Sequence, residues 1–211
     1  MKPIRPLAHR VPLVAATAVC ALALAACGSN NSGSHSGDGS PAKPAASPSA
    51  RVPSGGHNAA DVAFAKGMIP HHRQAVEMAD LAATRASSPQ VKEFADKIKK
   101  AQAPEIRTLS GWLSAWHEPV PAEMPGMDHS AHSSMPGMKG MEEMATLGKK
   151  SGKDFDRSFL EMMVGHHRGA VKMAGTEQDK GAFGRAKTLA ADIIRTQSAE
   201  IARMNKLLGK G

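Results

Sequence analysis

Apolar and polar positions between Asn58 and Arg85 recur on a helical period. At about 100° per residue, with Met68 as the zero of a wheel, Asp61, Phe64, Ala75, Met78 and Ala79 share one arc. His71 and His72 flank Met68 at roughly 60° and 40°, while Arg73 and Glu77 fall outside the arc. The pattern predicts a helix opening at Asn58 or Asp61 and running to about Arg85. Ser88-Pro89 then supplies an N-cap and a first-turn proline for a second helix, ending near His117 before Pro119. A third helix is predicted from about Lys153 to Gly175. A fourth runs from about Gly184 to Leu208, after the breakers Gly181 and Gly184.

These four elements are two copies of one pattern. FAKGMIPHHRQAVEMA starts at Phe64 and FLEMMVGHHRGAVKMA at Phe159, 95 positions later. The same offset carries Asp61 onto Asp156, and Gln102, Glu105 and Ile106 onto Gln197, Glu200 and Ile201. Such register without a gap implies a duplicated helical hairpin. Two hairpins that cannot bury their apolar faces alone predict an all-α, ferritin-like four-helix bundle.

The second copy places Asp156, Phe159, Met163, His166, His167, Ala170, Met173 and Ala174 on the face equivalent to the first. Both histidine pairs therefore point at or flank the bundle axis. A lone histidine on an apolar face is usually a hydrogen-bonded core residue. Two adjacent ones, present twice, point to metal or proton chemistry. Met68, Met78, Met163 and Met173 are either core or thioether ligands. Asp61 and Asp156 lie near helix starts, where they cap or complement the helix dipole, or else serve the metal as ligands or from behind its ligands. Glu105 and Glu200 could ligate, could accept from a histidine's second nitrogen, or could form edge salt bridges. Arg73 and Arg168 read as solvated, with Arg73 in reach of Glu77 at i+4. Pro70 and Gly165 precede the histidines at one register. Two helix-weakening residues there point to a kink or π-bulge that re-aims the rings, or else to a partly exposed turn that tolerates both.

The ends of the chain change the setting. Residues 1–10 are basic, Val11 to Ala26 are apolar and uncharged, and Leu24-Ala25-Ala26-Cys27 resembles a bacterial lipobox. The pattern predicts a secretory signal over 1–26 and lipidation at Cys27. Residues 27–57, rich in Gly, Ser and Pro, read as a tether with a reach on the order of 30 Å. The bundle would then occupy 58–211, outside the cytoplasm, leashed to the outer face of the bacterial membrane. Cys20 leaves with the signal and Cys27 is acylated, so neither a disulfide framework nor a thiolate metal site is available. The formal charge of +8 falls once Lys2, Arg5 and Arg10 are removed. With no Tyr and 3% aromatic residues, stacking platforms are scarce, and nucleic acid is not a predicted partner.

The repeated Met68, His71, His72, Ala75, Met78, Ala79 and Met163, His166, His167, Ala170, Met173, Ala174 resemble the M-x-x-H-H-x-x-A-x-x-M-A motif of the bacterial family called domain of unknown function 305. The lead-in FDRSFLEMM, Phe155 to Met163, is similar to that family too. The resemblance covers Asp61 to the C-terminus and implies a ferritin-like four-helix fold. It also implies a link to copper handling, with which some members are associated.

Residues 120–150 read as an inter-repeat loop with an unusual donor content. Met124, Met127, His129, His132, Met135, Met138, Met141 and Met144 lie among Gly, Pro and Ser. Thioethers select Cu(I), and imidazole suits both copper oxidation states. The segment is similar to the methionine-histidine stretches of exported copper-resistance proteins. The alternative is a linker whose methionines scavenge oxidants.

The reading is thus a membrane-anchored metal binder that captures or buffers copper, with silver included and a copper donor or acceptor protein as a partner. The alternatives are a ferritin-like redox enzyme with iron or another transition metal, and a scaffold that binds partners without metal. The enzyme reading has few carboxylates, since di-iron sites of this fold use four. No nucleophile elbow, thiol nucleophile or phosphate loop supports a hydrolase. The sequence leaves the oligomeric state open.

Overall fold

The computed structural model describes residues 56–122 and 135–210. The expected signal, Cys27 and most of the tether lie outside the described residues, as do Met124, Met127, His129 and His132. Asn58 opens α1 (Ala59–Arg85): its side chain accepts from the Ala60 and Asp61 amides, and Asp61 accepts from the Asn58 amide at 2.6 Å. This reciprocal cap satisfies donors that a helix start leaves orphaned. Ser88 caps α2 (Pro89–Ala115), with Pro89 in the first turn. A short helix, α3 (Met141–Lys149), precedes α4 (Gly152–Lys180) and α5 (Gly184–Leu207).

α1 packs on α2, α4 on α5, and the two hairpins meet along α1 and α4. Buried residues form two apolar cores. One joins Ala75, Met78 and Ala82 of α1 to Phe155, Phe159 and Met163 of α4, with Phe94 and Ile98 of α2. The other joins Phe64, Met68 and Ile69 of α1 to Ala170 and Ala174 of α4, with Leu109, Phe183 and Ile193. Each fully buried Phe or Leu contributes roughly 1.5–3 kcal/mol. The pairing of early α1 with late α4 makes those helices antiparallel, and the histidines fall between the cores.

Three expectations are corrected. The inter-repeat segment is not loop throughout, because residues 141–149 form α3, with Glu143 reaching back to the Gly140 amide and Met144 and Leu147 turned into the core. The helix predicted to end near Gly175 continues to Lys180, since one internal glycine costs only about 1 kcal/mol. Finally, α1 and α4 run as continuous α-helix through Pro70 and Gly165, without a π-bulge. Packing on both sides of the histidine layer holds them helical despite those residues. Among the described residues no helix is long and apolar enough to cross a membrane.

Candidate metal centre

His71, His72, His166 and His167 are all fully buried. Because α1 and α4 run antiparallel, the two pairs meet at one level. The His71 and His166 rings lie 3.7 Å apart, and each is 6.5 Å from the adjacent histidine of its own helix. Met68 and Met163 sit one turn before His72 and His167, a spacing that shares a helix face, and both are fully buried.

Three of the four rings are oriented by acceptors at Nε2. His72 Nε2 lies 2.7 Å from Glu105 Oε2, and His167 Nε2 lies 2.8 Å from Glu200 Oε2. His71 Nε2 lies 3.1 Å from the carbonyl oxygen of Pro136. A carbonyl only accepts, so His71 carries its proton on Nε2, and its neutral ring has a lone pair at Nδ1. The Glu105 and Glu200 carboxylates likewise accept from Nε2 of His72 and His167, which turns each Nδ1 away from them. Among the described residues, Nδ1 of His71, His72 and His167, and both nitrogens of His166, have no hydrogen-bond partner. Gln102 Oε1 and Gln197 Oε1 are likewise buried and unpartnered. Burial and the adjacent His72 push His71 down to about 3, and burial with His71 and His167 pushes His166 well below 6.5. Both are neutral at pH 7, the form that donates to a metal.

Asp61 and Asp156 are not in this layer. Each lies ten residues before its first histidine, about 15 Å along a helix. Asp156 accepts from the Ser87 amide and hydroxyl and the Ser88 amide at the first hairpin turn. Asp61 accepts from the Ala182 and Phe183 amides at the second. They clasp each hairpin to the other, because their depth along the helix matches the turns and not the histidines. Met78 is packed in a core. Met173 is half-buried, with its methyl against Gly67. Within the insert, Met135 and Met138 are half-buried, Met141 is exposed and Met144 is core. Arg73, expected to be solvated, is half-buried and donates to the carbonyls of Pro121 and Ala122.

Among the described residues no group of three or more His, Asp or Glu side chains is gathered as a ready metal cage. Glu105 and Glu200 are turned to Nε2 atoms. The arrangement suits an ion content with few donors, and not a four-carboxylate di-iron centre. Sequence reasoning passed over Pro136, which bonds His71, and Gln74, which holds the segment carrying Pro136. Their only trace was a mismatch between copies, where Gln74 corresponds to Gly169.

Fold and site together define a bundle of four long helices, with the short α3 beside it, that carries a layer of paired histidines between two apolar cores. The chain belongs to the DUF305 family, a domain of unknown function whose family model matches residues 61–208. A DUF305 protein from Streptomyces coelicolor is 36% identical over 72% of this chain and 93% of its own, with a TM-score of 0.64. A DUF305 fragment from Deinococcus radiodurans is 30% identical over 73% of this chain and 98% of its own, also at 0.64. CopM in its Cu(II)-bound form is 36% identical over 70% of this chain and 94% of its own, at 0.60. CopM structures with Cu(I) and with silver are similar to this chain as well. No curated protein sequence matches the chain.

Proposed function

We propose that this protein captures and buffers copper outside the cytoplasm, as Cu(I) or Cu(II), and accepts silver in the same way. One observation carries the reading: five unpartnered ring nitrogens lie in one buried layer, three of them opposite an Nε2 that already has its acceptor. A buried polar atom left unpaired costs about 1–3 kcal/mol. A ligating histidine normally gives its other N–H to a carboxylate or carbonyl, and that is the pattern of His71, His72 and His167. Imidazole suits copper in both states, and the nearby thioethers of Met68 and Met163 favour Cu(I). The likeness to CopM supports the choice of metal. Met124, Met127, His129, His132, Met135 and Met138 would add weaker, more accessible donors. Cys27 would hold the protein at the membrane through its acyl chain, and exchange with a copper donor or acceptor protein would take place there.

The test is competition for Cu(I) between the mature protein and a chromophoric chelator. His71, His72, His166 and His167, all changed to Ala, are expected to abolish the tightest binding, with circular dichroism confirming the fold. Removal of residues 123–134 is expected to spare it. A wild-type protein that takes no copper from the chelator would end this reading.

A further inference from the structure

The two copies of the hairpin differ most tellingly beside the histidines. Gln74 is buried and grips the backbone of Lys139 at two points: its Nε2 donates to the Lys139 carbonyl and its Oε1 accepts from the Lys139 amide, both at 2.8 Å. Gly169, its counterpart in the second copy, leaves room for the same segment. A Cβ there would stand 1.9 Å from the Pro136 carbonyl oxygen. Gly137, at φ +81°, lies so flat on α4 that its own Cβ would come within 2.8 Å of the Gly165 and His166 carbonyls. Met135 ends this seat, with its Sδ 3.6 Å from the place of a Cβ on Gly67. Between these contacts the Pro136 carbonyl accepts the hydrogen bond that His71 donates from Nε2. One copy thus supplies the grip and the other the space, over the close-packed His71 and His166 rings.

We infer that Met135–Lys139 is a lid on the histidine chamber, which must lift for a soft metal ion to reach His71 and His166. Seated, it fixes the His71 tautomer through Pro136 and leaves Nδ1 as that ring's open donor. The inference rests on the metal-binding reading for its ligand, though not for its geometry. The histidines are fully buried, so an ion enters only when something moves. α1 and α4 are held by two apolar cores, whereas the lid belongs to no helix and to neither core, and is held by the Gln74 and Pro136 hydrogen bonds and by surface packing of Met135 and Gly137. Segments with few buried apolar contacts open first. Pro136 and Gln74 are positioning residues here, acting through His71.

Two variants of the full mature chain damage the lid from opposite sides. Gln74→Leu removes the grip, and Gly169→Ala fills the seat. The metal-free readout is the rate at which diethyl pyrocarbonate modifies His71 and His166, resolved by peptide mass spectrometry against exposed His117. Gln74→Leu loses two hydrogen bonds and should raise that rate roughly tenfold or more. Gly169→Ala, through its overlap with Pro136, should raise it in the same direction. Release of Ag(I) to a chelator is expected to quicken by a similar factor, while far-ultraviolet dichroism stays unchanged. If either folded variant leaves His71 and His166 as protected as in wild type, the lid is overturned. If the four-histidine variant binds copper as tightly as wild type, the metal reading fails, and the modification rates still decide the lid.

Discussion

The two hairpin turns carry out one task with different chemistry. At the first, Asp156 from the opposite hairpin accepts two backbone amides and the Ser87 hydroxyl. At the second, Asp61 accepts from Ala182, Phe183 and its own helix start at Asn58. The surroundings then diverge. Ala82, one turn before the first joint, is an apolar core residue, while its counterpart Glu177 is a carboxyl just as buried. Ionised, Glu177 has no donor in reach. Protonated, it can give a hydrogen bond to Asp61. Burial, that hydrogen bond and the Asp61 charge push Glu177 up to about 8, with Lys187 opposing. Burial would raise Asp61, but the Glu177 and backbone hydrogen bonds outweigh it and hold Asp61 below its ordinary value. The duplicated carboxylate is thus a plain acceptor at one joint and half of a proton-sharing pair at the other.

The largest effect is expected from removing the plain clasp. Asp156→Ala removes the acceptor of the exposed Ser87 and the half-buried Ser88 at a joint only partly open to water, at a cost of about 2 kcal/mol at neutral pH. Asp61→Ala strands a similar set of amides but also relieves Glu177 of a neighbouring charge, so its cost should be about 1 kcal/mol smaller. Urea unfolding of both variants at pH 7 measures the difference. Equal costs would mean that Glu177 places no burden on the second joint.

A smaller effect isolates Glu177 itself. Its folded value lies above the unfolded 4.5, so the stability tied to its proton is complete below about 4.5 and is lost as pH rises through about 8. Asp61 has the opposite sign: its contribution is present above 3.8 and is lost as pH falls through its lowered value. Wild-type melting temperature should therefore decline from about pH 6.5 to pH 8; below that range His71 and His166, kept neutral by burial, make stability rise with pH instead. Glu177→Gln keeps a donor for Asp61 without a titrating proton. It should flatten that decline and melt higher than wild type at pH 8, as differential scanning calorimetry across the range would show. The corresponding Ala82→Gln, set in an apolar core, should destabilise at every pH.

The same contrast explains what could be read from the chain and what could not. The helices and the inward histidines follow from periodicity, because a face that is buried must repeat. Glu105 and Glu200 lay within reach of the histidines by register alone. Asp61 and Asp156 share the histidines' arc but lie near helix starts, and their ten-residue separation along α1 and α4 places them at the far joints. Glu177 looks like any surface charge on a helix, and only the fold shows it facing Asp61. The lid is hardest to read. Gln74 and Gly169 look like drift between copies until Pro136 and Lys139 are seen lying across both.

The smallest effect concerns Gly165, which stands where the first copy has Pro70. Both positions lie in continuous α-helix, so a π-bulge does not explain them. A Cβ on Gly165 would meet only the flexible end of Lys139, with Nζ at 3.4 Å and Cε at 3.9 Å. Nothing rigid opposes alanine, and the gain in helix propensity is up to about 1 kcal/mol. One turn on, Gly169→Ala makes the same gain but drives a methyl into the Pro136 carbonyl. The two substitutions are chemically identical and should separate in sign or nearly so: Gly165→Ala raises the melting temperature by a few degrees, and Gly169→Ala does not. A rise in both would mean that the lid is not seated where Gly169 makes room for it. A fall in both would mean that α4 needs backbone freedom ahead of His166, returning the glycine to the role first suspected for it.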